Sequence, residues 1–183
     1  MTKKASPIVT KILKTDKAVQ AVGRKVKSSA CGKMLGEGAY AKVFAKKNSK
    51  TQVVRVTEDS EDGYFRWAKV VGLKSNNPHF PKISKVTIHK SRRGWGEFLG
   101  VIVLEKLLGY WDIPVTAREK AFKEVGAEDL SDLEFRYFEP KTKAAKALLN
   151  ALTRANGCDI HDGNVMFRKT KTGYTLVVTD PCA

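Results

Sequence analysis

The hydrophobic pattern of the chain changes character near residue 108. Before that point, short apolar runs alternate with polar residues between turn-type segments, a pattern typical of β-strands. These runs flank a glycine-rich segment near residue 37 and recur at 51–56, 83–89 and 98–104. Beyond Gly109, apolar residues recur at helical spacing in two segments, 114–125 and 141–156. The pattern therefore predicts strands first and helices afterwards.

One helix is expected within the strand-rich part. Four acidic residues precede it and suit the positive end of a helix dipole: Glu58, Asp59, Glu61 and Asp62. Phe65, Ala68 and the pair Val70-Val71 supply an apolar face, and Asn76-Asn77-Pro78 ends the segment. The segment 128–139 is acidic and aromatic and fits no element clearly.

Two further apolar runs, 165–167 and 174–178, are joined by a basic turn and predict a hairpin near the end of the chain. Such a hairpin brings Asp159, Asn164 and Asp180 to one edge. Oxygen ligands of this type suit Mg²⁺, and a carboxylate nearby can orient or deprotonate a hydroxyl. Phosphoryl transfer uses this combination. The alternative is turn chemistry alone, because Asp, Gly and Asn all favour tight turns.

Length and composition favour one domain or two small lobes with a real core, since the chain has 183 residues and 42% hydrophobic content. The sequence contains no apolar run long enough for a membrane span, and we expect neither a span nor a signal peptide. Three scattered cysteines without CxxC spacing indicate a reducing compartment and argue against structural zinc.

The formal net charge of +15 is high, and residues 1–30 form a basic extension in which a short amphipathic helix is expected after Pro7. Such charge attracts nucleic acid or acidic proteins. We find no sequence motif of a nucleic-acid-binding module, so nucleic acid stays a partner that is not favoured. A solvated basic surface is the alternative.

The glycine-rich segment has the spacing G-x-G-x-x-x-x-V, from Gly36 and Gly38 to Val43, with Tyr40 near its tip. This spacing fits the phosphate-covering loop of protein kinases better than a P-loop, although a plain turn is the alternative. In the following strand, Arg55 stands where a kinase places its phosphate-binding Lys. The alternative is that Arg55 only forms a salt bridge on the sheet surface. Glu61 and Asp62 are the candidate acidic partners of that position, with helix capping as the alternative.

The segment from Val103 to Leu107 is similar to a kinase hinge, so the backbone of Glu105 and Leu107 is a candidate adenine contact; an ordinary strand end is the alternative. Together with the Asp159-x-His161-x-Gly163-Asn164 loop and Thr179-Asp180-Pro181, these motifs resemble the eukaryotic-type protein kinase superfamily. Within it they are most similar to the early Ser/Thr protein kinase of autographiviruses, which are short-tailed bacteriophages.

That resemblance covers residues 32–181 and implies a Ser/Thr kinase that uses ATP and Mg²⁺ in the host cytoplasm. Asp159 would be the catalytic carboxylate, Asn164 and Asp180 the Mg²⁺ ligands, and Arg55 the residue at the Lys position. Gly36 and Gly38 would cover the phosphates, with Tyr40 and Val43 beside the nucleotide, and His161 would brace the loop. The implied partners are host proteins of transcription and RNA processing, with host RNA polymerase as one candidate.

The implied fold is α+β, with an antiparallel five-stranded N-lobe carrying one long helix and a truncated, mainly helical C-lobe. The expected boundaries are 1–30 for the extension, 31–108 for the N-lobe and 109–183 for the C-lobe. Arg55 and the short C-lobe keep a second hypothesis open, a pseudokinase that binds and inhibits a host protein. The oligomeric state is not predicted.

Overall fold

The computed structural model describes residues 30–38, 40–59, 61–90, 98–154 and 160–180, with the backbone alone at 89 and 90. The chain divides into two compact units. Unit 1 spans Met1–Lys69 and Ile83–Lys106, and unit 2 spans Val70–Lys82 and Leu107–Ala183. The amphipathic helix expected after Pro7 lies outside the described residues.

Unit 1 is built on an antiparallel sheet, in which the described residues form five strands in the order β1-β2-β3-β5-β4. Each strand except the first coincides with an apolar run that predicted it, whereas the first is mostly exposed and extends into the glycine-rich segment. The strands are β1 (Cys31–Glu37), β2 (Ala41–Lys46), β3 (Gln52–Thr57), β4 (Ile83–Lys90) and β5 (Phe98–Glu105).

Helix α1 (Gly63–Val70) packs on one face of this sheet. Tyr64, Phe65 and Ala68 of the helix are buried in one cluster with Val53 and Ile102 of the central strands. Gly100 permits this close approach, because a Cβ there would lie 2.6 Å from the Phe65 ring. The opposite face buries a second cluster: Cys31, Phe44, Val54, Val56, Leu99 and Val101.

Unit 2 is mainly helical in its described part and contains one β-hairpin. The elements are α2 (Val115–Val125), α3 (Leu130–Phe135), α4 (Lys143–Arg154), β6 (Val165–Lys169) and β7 (Tyr174–Val178). Short 3₁₀ turns at Gly72–Lys74 and Tyr110–Asp112 complete it. Leu108 adds a two-way backbone bridge to Phe167, with N···O distances of 2.8 and 2.9 Å.

The predicted fold class is therefore confirmed: α+β, with an antiparallel five-stranded sheet and its helix followed by a mainly helical part. Helix α1 has eight residues and is shorter than the long helix expected, because the chain passes into a 3₁₀ turn after Val70-Val71. Among the described residues, none of the helices has the length and apolarity that a membrane crossing requires.

The hairpin of unit 2 is held by the segment around His79. Val178 donates its backbone N–H to His79 O (3.0 Å), and Arg168 donates to the carbonyls of Pro78 (2.5 Å) and Phe80 (2.9 Å). The buried His79 ring lies with Nδ1 3.0 Å from Leu176 O, so Nδ1 must carry the proton that it donates. Burial lowers the pKa of His79, and the nearby Arg168 charge acts in the same direction.

This lowered pKa predicts acid sensitivity of unit 2. Protonation of His79 is less favourable in the folded than in the unfolded chain, so the contribution of neutral His79 is complete above about pH 6.5 and is lost as the pH falls below it. Urea unfolding from pH 7.5 to 5 should show a falling free energy of unfolding, with a slope of up to about 1.4 kcal/mol per pH unit. His79→Gln should flatten this slope and the exposed control His161→Gln should not; an unchanged slope in His79→Gln would refute the assignment.

Candidate functional site

The glycine-rich segment forms the turn between β1 and β2. Gly38 N–H donates to Ala41 O at 2.9 Å, and an irregularity in the strand pairing places Gly36 opposite Val43. Both glycines are exposed. A Cβ at Gly36 would meet nothing within 4 Å, and one at Gly38 would meet only Ala41 O at 3.9 Å. Packing among the described residues therefore does not explain why glycine stands at either position. The backbone at both glycines is exposed and unobstructed by side chains.

Three predicted site residues lie in one row across the sheet of unit 1. Val43 of β2 pairs with Gly36 of β1 on one side and with Arg55 of β3 on the other. Directly opposed residues of antiparallel strands share a face, and this row lies on the face that packs against α1. Tyr40 is exposed at the turn, and its carbonyl accepts a hydrogen bond from Thr57 Oγ1 at 2.7 Å. The sheet thus brings Gly36, Val43 and Arg55 together.

Arg55 forms a buried ion pair with Asp62 at the start of α1. Its Nη2 lies 3.2 and 3.3 Å from the two carboxylate oxygens, and the side chains are only 13% and 2% exposed. The guanidinium carbon also lies 4.2 Å from the centre of the Tyr64 ring, within cation–π range. Arg55 is therefore a salt-bridging residue on a face of the sheet, partly buried and paired with the buried Asp62, and its role at the Lys position stays a prediction.

Asp62 has two roles that sequence reasoning treated as alternatives. Besides pairing with Arg55, its Oδ1 accepts the backbone N–H of Phe65 at 3.2 Å, which is an N-terminal cap of α1. Glu61 instead pairs with Arg66 at the surface.

Asn164 and Thr179 join the two ends of the β6–β7 hairpin. The carbonyl of Asn164 accepts both the backbone N–H of Thr179 (2.8 Å) and its hydroxyl (3.0 Å). Asp180 follows Thr179 directly, and Asn164 and Asp180 are both half-buried. The hairpin therefore brings these two predicted metal ligands to one edge. Asp159, the predicted catalytic carboxylate, lies outside the described residues.

The loop before Asn164 is braced from within. His161 Nδ1 accepts the backbone N–H of Gly163 at 3.0 Å, and the His161 carbonyl accepts the N–H of Asn164 at 2.9 Å. A Cβ at Gly163 would lie 2.6 Å from the His161 ring, so a larger residue there would displace the ring from this position. The contacts made by His161 are those of the bracing role expected for it.

A second brace was missed by sequence reasoning. The Trp111 indole N–H donates to Asp162 Oδ2 at 2.9 Å, although the Trp111 residue is 74% exposed. Buried Arg118 donates to Tyr110 O (2.9 Å), and its guanidinium carbon lies 4.5 and 4.8 Å from the Tyr110 and Trp111 ring centres. The Trp111 hydrogen bond is the main cause of a lowered pKa at Asp162.

The donor types at the hairpin edge fit Mg²⁺. Mg²⁺ prefers hard oxygen ligands and commonly binds through one or two protein side chains plus phosphates and water, which matches an Asn and an Asp. Among the described residues, no three His, Cys, Asp or Glu side chains form a metal-binding group. A pair of ligands of this kind would need further oxygens from a bound phosphate.

Glu105 and Leu107, the candidate adenine contacts, lie at the boundary of the two units. Glu105 ends β5 in unit 1, where it pairs with Gln52, and Leu107 begins the second part of unit 2. Between them, Lys106 N–H donates to Thr51 O at 2.8 Å. Their predicted role stays a prediction.

No protein-family model matches the sequence, and no curated protein has significant similarity to it. Similar solved structures include a thermostable mutant of aminoglycoside phosphotransferase APH(4)-Ia with AMP-PNP and hygromycin B (16% identity, 88% of this chain and 70% of that chain, TM-score 0.44). MAP kinase LmaMPK10 from Leishmania major is similar at 11% identity (91% and 51%, TM-score 0.46). The Mycobacterium tuberculosis PknI kinase domain is similar at 17% (82% and 56%, TM-score 0.43). The chain thus spans half to 70% of these proteins, and likeness of this degree assigns no activity.

The Arg55–Asp62 pair should be strongly coupled. Arg55→Ala leaves the Asp62 carboxylate buried without its cation, so we expect a loss of about 3–5 kcal/mol in the free energy of unfolding. In a double-mutant cycle with Asp62→Ala, the double variant should lose less free energy of unfolding than the sum of the two single losses, by roughly 0.5–3 kcal/mol. The exposed pair Arg66 and Glu61 is the matched control, with coupling of about 1 kcal/mol or less. Additive losses at Arg55 and Asp62 would contradict the pair.

Proposed function

We propose that this protein is an ATP-dependent phosphotransferase that uses Mg²⁺ and acts on Ser/Thr residues of host proteins. The observation that carries the proposal is the hairpin edge at which Asn164 and Asp180 are brought together through Thr179. Two oxygen ligands at one edge, within reach of phosphate oxygens, are what a nucleotide-bound Mg²⁺ requires.

Unit 1 supports the nucleotide part of this proposal. Gly36 and Gly38 leave exposed backbone at the β1–β2 turn that neither packing nor a positive φ angle explains. Backbone N–H groups at such a turn can approach phosphates closely, because no side chain stands in the way. Val43, beside Gly36 in the sheet, would contact the base, with the backbone of Glu105 and Leu107 as its hydrogen-bonding partners.

Each site residue then has a defined chemical task. Asp159 accepts the proton of the attacking hydroxyl and orients its oxygen toward the γ-phosphorus. Asn164 and Asp180 would hold the metal ion, which would neutralise charge on the phosphates. Arg55 provides fixed positive charge whose position is set by Asp62 and Tyr64. His161 hydrogen-bonds to Gly163 and Trp111 to Asp162, and these restraints would help to position Asn164 before substrate arrives.

A second function is favoured by the same Arg55 geometry. Asp62 and the Tyr64 face hold the guanidinium in one place, and its planar fork does not reproduce the compact ammonium of a Lys. In this second function the held guanidinium supports phosphate binding too weakly for turnover, and the protein acts by binding and inhibiting a host protein. The net charge of +15 would then assist encounter with an acidic target.

Transfer of radiolabel from γ-labelled ATP separates the two functions. With Mg²⁺ and a bacterial lysate as acceptor, the wild type should label protein on Ser or Thr, as phosphoamino-acid analysis would show. Asp159→Asn should reduce the rate by at least about a hundredfold, because general-base assistance contributes roughly 10²–10⁴-fold.

The surface variant Glu119→Gln is the control and should retain wild-type labelling. A folded wild type that transfers no label, yet captures a lysate protein stoichiometrically, would replace the kinase proposal with the inhibitor. Labelling of a small molecule in place of protein would retain the phosphotransferase and exclude the Ser/Thr acceptor.

A further inference from the structure

The segment 128–139 presents two aromatic rings to solvent. Phe135 ends α3 and is 59% exposed, and Tyr137 is 80% exposed. Their ring centres lie 6.0 Å apart with an interplanar angle of 23°, so the rings stack on each other. Leu133 and Phe138 on either side are buried. The neighbouring apolar side chains are therefore part of the core, whereas the stacked pair is exposed to solvent.

The backbone holds this pair rigidly. Arg136 adopts a left-handed conformation (φ 63°) and ends α3, with its N–H donating to Leu133 O and the Tyr137 N–H donating to Asp132 O at 2.9 Å. This is a Schellman-type end in which a residue other than glycine occupies the left-handed position. The conformation turns the chain between the two aromatic residues and sets both rings on the same side.

Hydrogen bonds also hold both ends of the segment 128–139. Glu139 N–H donates to Gly126 O at 3.2 Å, and a Cβ at Gly126 (φ 95°) would lie 1.8 Å from Glu139 O. At the start of α3, Asp129 caps the N–H groups of Ser131 and Asp132, and Asp132 Oδ2 accepts the N–H of Glu128 at 2.7 Å. A surface fixed at both ends loses little conformational entropy when it binds a partner.

The charge of the segment is opposite to that of the chain. Five of the 19 acidic residues but only one of the 34 Lys and Arg residues fall within 128–139. Glu134 and Glu139 flank the aromatic residues in sequence and are exposed, and neither has an ion-pair partner in the part of the chain that the structure describes. Elsewhere in the protein, Arg55 and Arg118 each lie over aromatic rings.

We propose that Phe135, Tyr137, Glu134 and Glu139 form a docking surface, here called the acidic aromatic surface, for an Arg- or Lys-containing segment of a partner protein. Aromatic faces attract cations, and the exposed carboxylates of Glu134 and Glu139, which lie close to the rings in sequence, can add charge-assisted hydrogen bonds, most effectively to a guanidinium. The net negative charge of the segment 128–139 disfavours a nucleic acid, whose phosphates it would repel. The proposal does not depend on phosphotransfer.

The test measures fluorescence anisotropy of a short labelled peptide of alternating Arg and Gly, at about 0.15 M salt, where screening limits attraction to roughly 8 Å. The wild type should bind this peptide more tightly than a Lys-Gly peptide, because a guanidinium stacks on aromatic faces and pairs with carboxylates through its planar fork. Phe135→Ala with Tyr137→Ala should weaken binding by about tenfold, the effect expected when cation–π contacts are lost.

Two double variants with the same change in net charge distinguish an effect of the acidic aromatic surface from an effect of the overall charge of the protein. Glu134→Lys with Glu139→Lys should abolish peptide binding, whereas Glu58→Lys with Glu119→Lys raises the net charge equally at exposed sites elsewhere and should change affinity less than twofold. Thermal melting checks that all variants fold. No peptide binding by the wild type, or an equal loss in both charge variants, would overturn the proposal.

Two other occupants are tested with the same proteins. Sedimentation of the wild type and of the Phe135→Ala, Tyr137→Ala variant detects self-association, and titration with a labelled single-stranded RNA oligonucleotide detects base stacking on the rings. A dimer, or RNA binding, that is lost in this variant would assign the acidic aromatic surface to a second copy or to nucleic acid, and would refute the basic segment.

Discussion

The buried contact of Arg55 with Asp62 is the interaction on which unit 1 depends. One carboxylate neutralises a cation in the middle of the sheet and also caps the first turn of α1. A buried charge is costly unless it is paired and hydrogen-bonded, so neither residue can change alone without a large penalty. The same pair links β3 to the start of α1, and the lack of a side chain at Gly100 lets the Phe65 ring approach β5 closely.

In unit 2, hydrogen bonds hold the loop 161–164 at the end of a hairpin whose core side chains are buried. Backbone hydrogen bonds join Asn164 to Thr179, and the exposed Trp111 indole restrains Asp162 from outside the loop. Buried Arg118 lies over the faces of Trp111 and Tyr110 and gives the largely exposed indole a second contact besides its hydrogen bond to Asp162. Positioning by such contacts is what phosphoryl transfer mainly asks of a protein.

Sequence patterns predicted those features that depend on residues close together in the chain. Alternating apolar runs located the strands, and the short hairpin placed Asn164 and Asp180 together because only a turn separates β6 from β7. Contacts between distant positions were not predictable, such as Trp111 with Asp162 or His79 with Leu176, since nothing in the sequence marks either partner. Segment 128–139 escaped assignment because α3 is short and its end at Arg136 breaks the helical spacing of apolar residues.

The central claim, that Asn164 and Asp180 hold a nucleotide-bound divalent ion, is tested most directly by electron paramagnetic resonance with Mn²⁺ in place of Mg²⁺. Addition of the wild type to Mn²⁺ and ADP should reduce the free Mn²⁺ signal, and Asn164→Ala or Asp180→Asn should restore most of it. The surface variant Glu119→Gln should behave as the wild type. Equal Mn²⁺ retention by wild type and both site variants would contradict the account.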